Sequence, residues 1–281
     1  YIMLDFRIMP QLRKYSGSLS VFPRLFSFGV WVTVTNVVVP IFVYLDRFLI
    51  GSLRSISAVA YYAVPYGLVT KLLIIPNSIS IVLFPTISRF FLISEKYDFN
   101  VSLVTRSIKY TIMTMIPPTV IFLICGKYIL SIWLGSDFAS ESIIVFRFLS
   151  IAVMLNAIGY IPYALIQGAG RPDVIAKYHL IELPVYFSVA FFLISRFGIN
   201  GAALALCLRM TWTIPVFSVL CVKIARIPLY AFAKNGVVLS LVGSIIVMLL
   251  SLFLSYQNIN IASITLTIVL ILICYSFLFG L

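Results

Sequence analysis

Charged residues are scarce in this sequence. They make up 10% of its 281 residues, whereas hydrophobic residues make up 62% and the mean hydropathy is +1.14. A soluble globular domain has an apolar share of about 45 to 50%, so this composition excludes that class. One membrane-spanning helix needs about 20 apolar residues, and short turns separate the apolar blocks of this chain. The sequence therefore predicts an all-α, polytopic transmembrane helix bundle.

Metal-ligating residues are few as well. His179 is the only histidine, and no second His or Cys stands at ligand spacing from it. The four cysteines show no C-x-x-C spacing and lie in or beside apolar stretches, which is typical of small buried side chains. Gly168 and Gly170 lack the preceding strand and the third glycine of a dinucleotide-binding loop. The sequence therefore predicts no metal site and no cofactor.

Hydropathy predicts eight membrane spans. They lie at about 25–45, 60–87, 107–125, 142–166, 174–195, 198–221, 237–255 and 260–280. We expect residues 1–24 to form a cytoplasmic N-terminal segment, 25–221 a six-helix transporter bundle, and 222–281 two appended transmembrane helices. The sequence starts with Tyr1 rather than Met, from which we expect a chain truncated at its N-terminus, and it ends abruptly inside an apolar run.

Basic residues test this layout independently, since Lys and Arg accumulate in short cytoplasmic loops. With a cytoplasmic N-terminus, thirteen of the twenty basic residues fall in inside segments and only four fall in outside segments. Those four are Arg47, Arg54, Lys127 and Arg196. The net charge of +12 then reflects topology and contact with anionic lipid, and nucleic acid is not a predicted partner.

The three remaining cations, Lys71, Arg147 and Arg209, fall inside predicted spans. A charge at the bilayer centre costs at least about 2.5 kcal/mol unless it faces the bundle interior or a wet cavity. Such residues are therefore candidates for a functional site, although kinks at neighbouring prolines leave the direction of Lys71 undecided. Glu182 is the only acidic residue that we place at a comparable depth. A cavity with more cations than anions favours an anionic substrate.

Polar side chains recur at helical spacing in three of the predicted spans. The three stripes are Thr33, Asn36, Pro40, Tyr44 and Arg47; Asn156, Tyr160, Tyr163 and Gln167; and Tyr178, Glu182 and Tyr186 beside His179. Tyrosine rings stack on sugars, and amides exchange hydrogen bonds with sugar hydroxyls, so the pattern indicates a groove for a glycan. Hydrogen bonding between packed membrane helices is the alternative interpretation of the same residues.

Part of the sequence resembles a known family. The similar segment is Asn36–Arg89, NVVVPIFVYLDRFLIGSLRSISAVAYYAVPYGLVTKLLIIPNSISIVLFPTISR, and it is similar to the start of the C-terminal half of bacterial lipid-linked oligosaccharide flippases, the Wzx-type polysaccharide biosynthesis proteins. Shorter similar stretches are Trp133–Gly135, Gln167–Pro172, Glu182–Pro184 and Gly198–Ala203. The last also recurs in the wider superfamily that includes the multidrug and toxic compound extrusion (MATE) transporters.

This resemblance implies two six-helix bundles that move an undecaprenyl-diphosphate-linked glycan across the bacterial inner membrane by alternating access. The chain would supply the second bundle, a MATE-like C-terminal lobe, plus two appended helices. The missing N-terminal transporter half would then be its partner. The lipid bilayer, the polyprenyl-diphosphate-linked glycan, and polysaccharide polymerase and chain-length proteins are the other candidate partners.

The residues and the resemblance together predict which side chains meet the substrate. Those expected at the diphosphate or an acidic sugar are Arg47, Lys71, Arg209 and Arg147, and those expected at the glycan are Asn36, Tyr44, Asn156, Tyr160 and Tyr163. Glu182, with the neighbouring His179, is the candidate for ion coupling, since a buried carboxyl can change its protonation. A structural ion pair between Glu182 and Arg209 is the alternative.

Two other functions are the alternatives to a flippase. A MATE-type exporter of drugs or cations would carry acidic residues in its cavity, which the excess of cations opposes. A membrane polymerase or glycosyltransferase would need a substantial loop carrying acids and bases. The longest outside loop, at about 126–141, has only Asp137 and Glu141 as acids. We therefore predict a flippase for surface polysaccharide biosynthesis, and not an enzyme.

The loop asymmetry predicts that both chain ends and the loops near 89–106, 167–173 and 222–236 face the cytoplasm. In a background without the native cysteines, Tyr97→Cys and Tyr230→Cys should resist a membrane-impermeant thiol reagent added to spheroplasts, and should react after permeabilisation. Strong labelling of either position from outside would overturn the topology.

Overall fold

The computed structural model describes residues 22–90, 97–256 and 269. The helices in chain order are α1 (Phe22–Leu53), α2 (Ile56–Val69), α3 (Ile74–Phe90), α4 (Tyr97–Leu134), α5 (Ser136–Gly168), α6 (Pro172–Ala225), α7 (Leu229–Lys234) and α8 (Val237–Tyr256). A 3-10 turn at Thr70–Leu73 joins α2 to α3. No strand occurs among these residues, and the predicted all-α helical bundle is confirmed.

Within the described residues, five helical stretches are long and apolar enough to cross a membrane. They are Leu25–Leu53, Ile56–Ser88, Val101–Leu134, Ser136–Gly168 and Pro172–Ala225, and the shorter apolar helix Val237–Phe253 follows them. Because α6 is a helical hairpin, it covers two of the predicted spans. Seven of the eight predicted spans thus coincide with helices. The eighth, and almost all of the predicted cytoplasmic segment 1–24, lie outside the described residues.

The longest helix, α6, reverses direction at Gly198. This glycine has φ 59° and ψ −135°, a conformation that residues with a Cβ rarely adopt. The two arms lie side by side, because Arg209 on the second arm bonds to Glu182 on the first. A straight helix would separate those two residues by about 40 Å. After the turn, Gly201 lies so close to Leu193 that an added Cβ would overlap the Leu193 carbonyl oxygen.

Arg54, in the turn between α1 and α2, closes the same end of the α6 hairpin. Its guanidinium donates to the carbonyl oxygens of Ile194 at 3.2 Å and of Ser195 at 2.9 Å, just before the reversal. The last carbonyls of a helix lack an intrahelical donor, and a cation beside them is favourable. Arg54 therefore ties α1 to α6 at the end where the loops are predicted to face outside.

Of the five spans, helix α5 is the most deeply packed, because 56% of an 18-residue apolar stretch of this helix is buried. It contacts α2, α3, α4 and α6, and α1 packs on α6. Two glycines lie close to neighbouring helices: Gly168 of α5 lies against Ile87 of α3, and Gly126 of α4 lies against Phe146 of α5. By contrast, only 17% of the corresponding 18-residue stretch is buried in α1, and the same share is buried in the span formed by α2 and α3. These two spans therefore carry most of their surface on the outside of the bundle.

Helix α8 is attached to α4 through small side chains. Its buried residues are Val237, Ser240, Ser244, Val247 and Ser251, which share one helical face. In a membrane, small residues favour helix contact because they let two backbones approach closely. Just before this helix, Asn235 donates a hydrogen bond of 2.8 Å to the Thr105 hydroxyl of α4. Helix α8, which coincides with the first of the two spans predicted to be appended, is therefore packed against α4.

We expect Gly201→Ala to destabilise the protein, because the new methyl group would overlap backbone atoms rather than a movable side chain. The expected loss is about 2 to 3 kcal/mol of unfolding free energy, read as a lower thermal unfolding midpoint in detergent. Gly29→Ala is the matched control, since a Cβ there would meet no atom within 4 Å. Equal midpoints for the two variants would contradict the close approach of the α6 arms.

Candidate functional site

A pocket of about 310 Å³ lies between α1, α2, α5 and α6. Its apolar lining comes mainly from α1, α5 and α6. Its polar lining comes from all four helices and from the 3-10 turn, and consists of Thr35, Asn36, Asp46, Tyr66, Thr70, Asn156, Tyr160, Tyr163, His179, Arg209 and Thr213. Polar groups from distant parts of the chain thus converge on one mostly apolar cavity, which is the usual form of a small-molecule site.

Arg209 is held in the pocket wall by Glu182. Its Nε and Nη2 atoms donate to the two carboxylate oxygens, each at 3.2 Å, so the two groups meet side by side. The guanidinium carbon also lies 3.5 Å from the ring centre of Phe42, which is a cation–π contact. Arg209 is 8% exposed and Glu182 is 4% exposed, so each neutralises the other away from water. The alternative role predicted for Glu182, an ion pair with Arg209, is thus present.

Further side chains complete the surroundings of Glu182. Thr213 and Trp212 donate to its Oε1 atom at 2.7 Å and 3.3 Å. The Tyr178 hydroxyl donates to the same atom at 3.4 Å. His179 places Nδ1 at 2.9 Å from Oε2. The two residues predicted for ion coupling, Glu182 and His179, are therefore in direct contact, and ion coupling itself stays a prediction.

Asp46 is a candidate functional residue that hydropathy missed. It is 2% exposed and accepts hydrogen bonds from the hydroxyls of Tyr62 at 2.7 Å and of Tyr186 at 2.6 Å. The predicted first span ended at residue 45, because Asp46 and Arg47 interrupt the apolar run, whereas α1 continues through both. The signal that could have revealed Asp46 is the apolar run that resumes at 48–50.

The expected excess of buried cations is wrong for the residues that the structure describes. Of the three cations placed inside spans, only Arg209 is buried, whereas Asp46 and Glu182 are both buried. These three buried groups, one cation and two carboxyl groups, therefore do not give the pocket wall the positive charge that was expected. An anion would have to be recognised by the arrangement of donors as well as by net charge.

Lys71 and Arg147 do not line the pocket. Lys71 belongs to the 3-10 turn and is exposed. Pro76 has no amide hydrogen, so the Leu72 carbonyl oxygen in this turn cannot accept the hydrogen bond that it would accept from residue 76 in an α-helix. Arg147 is partly buried, and its Nε donates to the Leu123 carbonyl oxygen of α4 at 3.2 Å. The roles predicted for these two cations stay predictions.

Six residues predicted from the sequence do line the pocket: Asn36, Asn156, Tyr160, Tyr163, His179 and Arg209. Three of them, Asn156, Tyr160 and Tyr163, belong to the stripe on α5, whose fourth member, Gln167, does not line the pocket. Within the described part of the chain, these three side chains make no hydrogen bond to another helix, so their polar groups are left for the pocket. The α6 stripe differs, because Tyr178, Glu182 and Tyr186 all bond to neighbouring helical segments.

The stripe on α1 lies mostly on the outside of the bundle. Thr33, Asn36, Pro40 and Tyr44 are exposed, and Asn36 is the member that also lines the pocket. Arg47 is partly buried, with its guanidinium carbon 5.6 Å from the ring centre of Tyr44 and 5.4 Å from that of Tyr66. Tyr44 and Arg47, both predicted to contact substrate, therefore lie beside the pocket and not in its lining.

Comparison with known proteins places this arrangement in a family. A family model described as polysaccharide biosynthesis protein matches residues 1–143. The chain belongs to that family. A curated protein of Shigella flexneri, named "Putative O-antigen transporter", is 32% identical over 189 residues, which is 67% of this chain and 44% of that protein. No solved structure matches the chain.

The predicted resemblance to Wzx-type polysaccharide flippases is confirmed at the level of the family. The relative's name describes a transporter, as predicted, and not a polymerase or glycosyltransferase. Helices able to span a membrane agree with a multi-pass membrane protein. The chain spans less than half the length of this relative. Among the described residues, no group of three or more His, Cys, Asp or Glu side chains could hold a metal ion.

Removal of one hydroxyl group from the surroundings of Asp46 should destabilise the protein. Tyr186→Phe keeps the ring in place but deprives the buried carboxyl of one donor, which costs about 1 to 3 kcal/mol. Tyr128→Phe is the control, because Tyr128 is 52% exposed and lies away from this cluster. Thermal unfolding midpoints of the purified variants test the expectation. A midpoint for Tyr186→Phe as high as that of the control would show that Asp46 does not depend on this hydroxyl.

Proposed function

We propose that the complete protein moves an undecaprenyl-diphosphate-linked oligosaccharide across the bacterial inner membrane during surface polysaccharide biosynthesis. One observation carries the proposal: a single pocket combines a fixed guanidinium, Arg209, with Asn156, Tyr160 and Tyr163 of α5. The polysaccharide biosynthesis family and the O-antigen relative support this class of substrate.

Each part of such a substrate has a counterpart in the structure. A diphosphate carries localised negative charge, for which a guanidinium supplies charge-assisted hydrogen bonds. A glycan offers hydroxyl groups and apolar ring faces, which the amide and tyrosine side chains of α5 match. The polyprenyl tail can stay in lipid beside an open groove. A pocket of about 310 Å³ is at the lower limit for a drug-sized ligand, so a longer glycan needs further surface.

Exposed polar side chains on α1 and in the 3-10 turn favour the presence of a second half of the transporter, which would provide this further surface. Tyr44 is 62% exposed, and Asn36 and Lys71 are exposed as well. Polar side chains that face lipid tails are costly, so in a membrane they need water or protein beside them. We propose that the N-terminal transporter half covers this face and that the substrate passes between the halves. Arg47 and Lys71 would then meet the substrate from the same face.

A MATE-type exporter of cations is the second candidate, because Asp46 puts a carboxyl group into the pocket lining. Both oxygens of Asp46 already accept tyrosine hydroxyls, and Arg209 and Arg47 are close enough to attract the carboxylate. A cationic drug would have to compete with all of these partners. The flippase is therefore favoured, and ion coupling and the polymerase and chain-length partners stay predictions within it.

Complementation of a flippase-deficient strain tests the proposal in the full-length protein. Arg209→Gln should lower the amount of surface polysaccharide about tenfold or more, because it removes the charge-assisted donors. Asn156→Ala should lower it as well, by loss of a glycan contact. Lys127→Gln is the control, since Lys127 is an exposed cation that does not line the pocket.

Membrane abundance of each variant, measured by immunoblot, separates loss of transport from loss of protein. Among the described residues Asn156 has no hydrogen bond to lose, so its variant carries the test if Arg209→Gln is degraded. Normal polysaccharide in both variants would contradict the proposed site. Export of a cationic dye that depends on Asp46, with normal polysaccharide, would favour the second candidate.

A further inference from the structure

Arg209 has one bonded edge and one open edge. A guanidinium presents two edges that can each hold a two-oxygen anion, one formed by Nε and Nη2 and the other by Nη1 and Nη2. Glu182 occupies the first edge. Nη1 makes no hydrogen bond within the described part of the chain, and Arg209 lines the pocket. The second edge is therefore the part of Arg209 that is left to bind a ligand.

Two contacts fix the direction of that open edge. The side-by-side pairing with Glu182 fixes the rotation of the guanidinium within its plane, and Phe42, 3.5 Å from the guanidinium carbon, fixes the plane itself. Glu182 is in turn held by Thr213 at 2.7 Å and by His179 at 2.9 Å. A donor that is already immobilised loses little conformational freedom on binding, so more of its contact energy appears as affinity.

We propose that Glu182 and Phe42 are positioning residues that hold the open edge of Arg209 towards the pocket, where it binds a two-oxygen anionic group of the substrate. The inference rests on the proposed function, because it specifies how that same site recognises charge. Such a group can be the diphosphate of the lipid carrier or the carboxylate of an acidic sugar.

Net charge and positioning predict opposite effects of removing Glu182. Asp46 and Glu182 both attract Arg209, so a site that worked by charge alone would bind anions more tightly without one of these carboxylates. A positioning role predicts weaker binding, even though a negative charge has been removed. The sign of the change in affinity therefore distinguishes the two.

The test is a double-mutant cycle on the anion affinity of the full-length protein in lipid nanodiscs, measured by calorimetry. Glu182→Gln should weaken the binding of inorganic pyrophosphate about tenfold when residue 209 is arginine. In the R209K background, Glu182→Gln should leave affinity unchanged or improve it, since an ammonium group has no planar edge to orient. Glucuronate is the second probe. Tighter binding of pyrophosphate would indicate that the open edge holds the diphosphate of the lipid carrier, and tighter binding of glucuronate would indicate the carboxylate of an acidic sugar.

Phe42→Leu provides a second variant that keeps the ion pair intact. It should weaken pyrophosphate binding about threefold in the arginine background, by the loss of one cation–π contact. The effect should be smaller in the R209K background, because an ammonium group has no planar edge for the ring to orient. Phe122→Leu is the matched control, because the Phe122 ring packs on Phe146 and not in the pocket lining.

Equal weakening by Glu182→Gln in both backgrounds would show a merely structural role and overturn the inference, as would unchanged or tighter binding in the arginine background. If Glu182→Gln does not fold, Phe42→Leu decides in the same way. Pyrophosphate and glucuronate that bind equally well to Arg209→Gln, or that do not bind the unaltered protein, would contradict the proposed function itself. The two failures are therefore distinguishable.

Discussion

A charge buried inside a membrane protein is stable only beside a partner of opposite charge. Arg209 and Glu182 form such a pair, and they lie where the two arms of α6 meet helix α1. The pair joins residues 27 positions apart in sequence, which is possible only because α6 folds back at Gly198. Removing one member would leave the other buried and unpaired, at a cost of about 3 to 5 kcal/mol. The pair links the two arms of α6, contacts Phe42 of α1 through the Arg209 guanidinium, and contributes Arg209 to the wall of the pocket.

A second cluster of buried polar groups lies next to the first on the same two elements. Glu182 and Tyr186 are four residues apart on α6, and Phe42 and Asp46 are four apart on α1, so each pair shares a helical face. Tyr186 bonds to Asp46 at 2.6 Å, and its ring centre lies 5.7 Å from that of Phe42. Helices α1 and α6 are therefore held together by the Tyr186–Asp46 hydrogen bond and by the cation–π contact between Phe42 and Arg209. Phe42, Asp46 and Arg209 also line the pocket.

The two interpretations of the polar stripes apply to different helices. On α6, Tyr178, Glu182 and Tyr186 are used for contacts between helical segments, as expected for membrane helices that exchange hydrogen bonds. On α5, Asn156 and Tyr160 keep their polar groups for the pocket. Spacing alone does not separate these cases, because a stripe has the same period whether it faces a neighbouring helix or a cavity.

The sequence by itself determined the fold class, the membrane setting and the family, because these follow from apolar run lengths, composition and segment similarity. It also marked six residues that line the pocket, among them Arg209 and Tyr160, since buried cations and polar stripes are rare in apolar spans. The sequence did not show which of these polar residues contact one another. Hydropathy is averaged along the chain, so the charges at Asp46 and Arg47 looked like the end of a span, although α1 continues past them.

Only the tertiary structure decided which of the marked residues come together. The reversal at Gly198 brings Arg209 to Glu182, and the docking of α2 and α6 on α1 surrounds Asp46 with two tyrosine hydroxyls. Lys71 was marked by the same criterion as Arg209 but is exposed in the 3-10 turn. The physical reason is that a charge is stabilised by partners from distant segments, and their distances are set by how helices fold back and pack, not by local sequence.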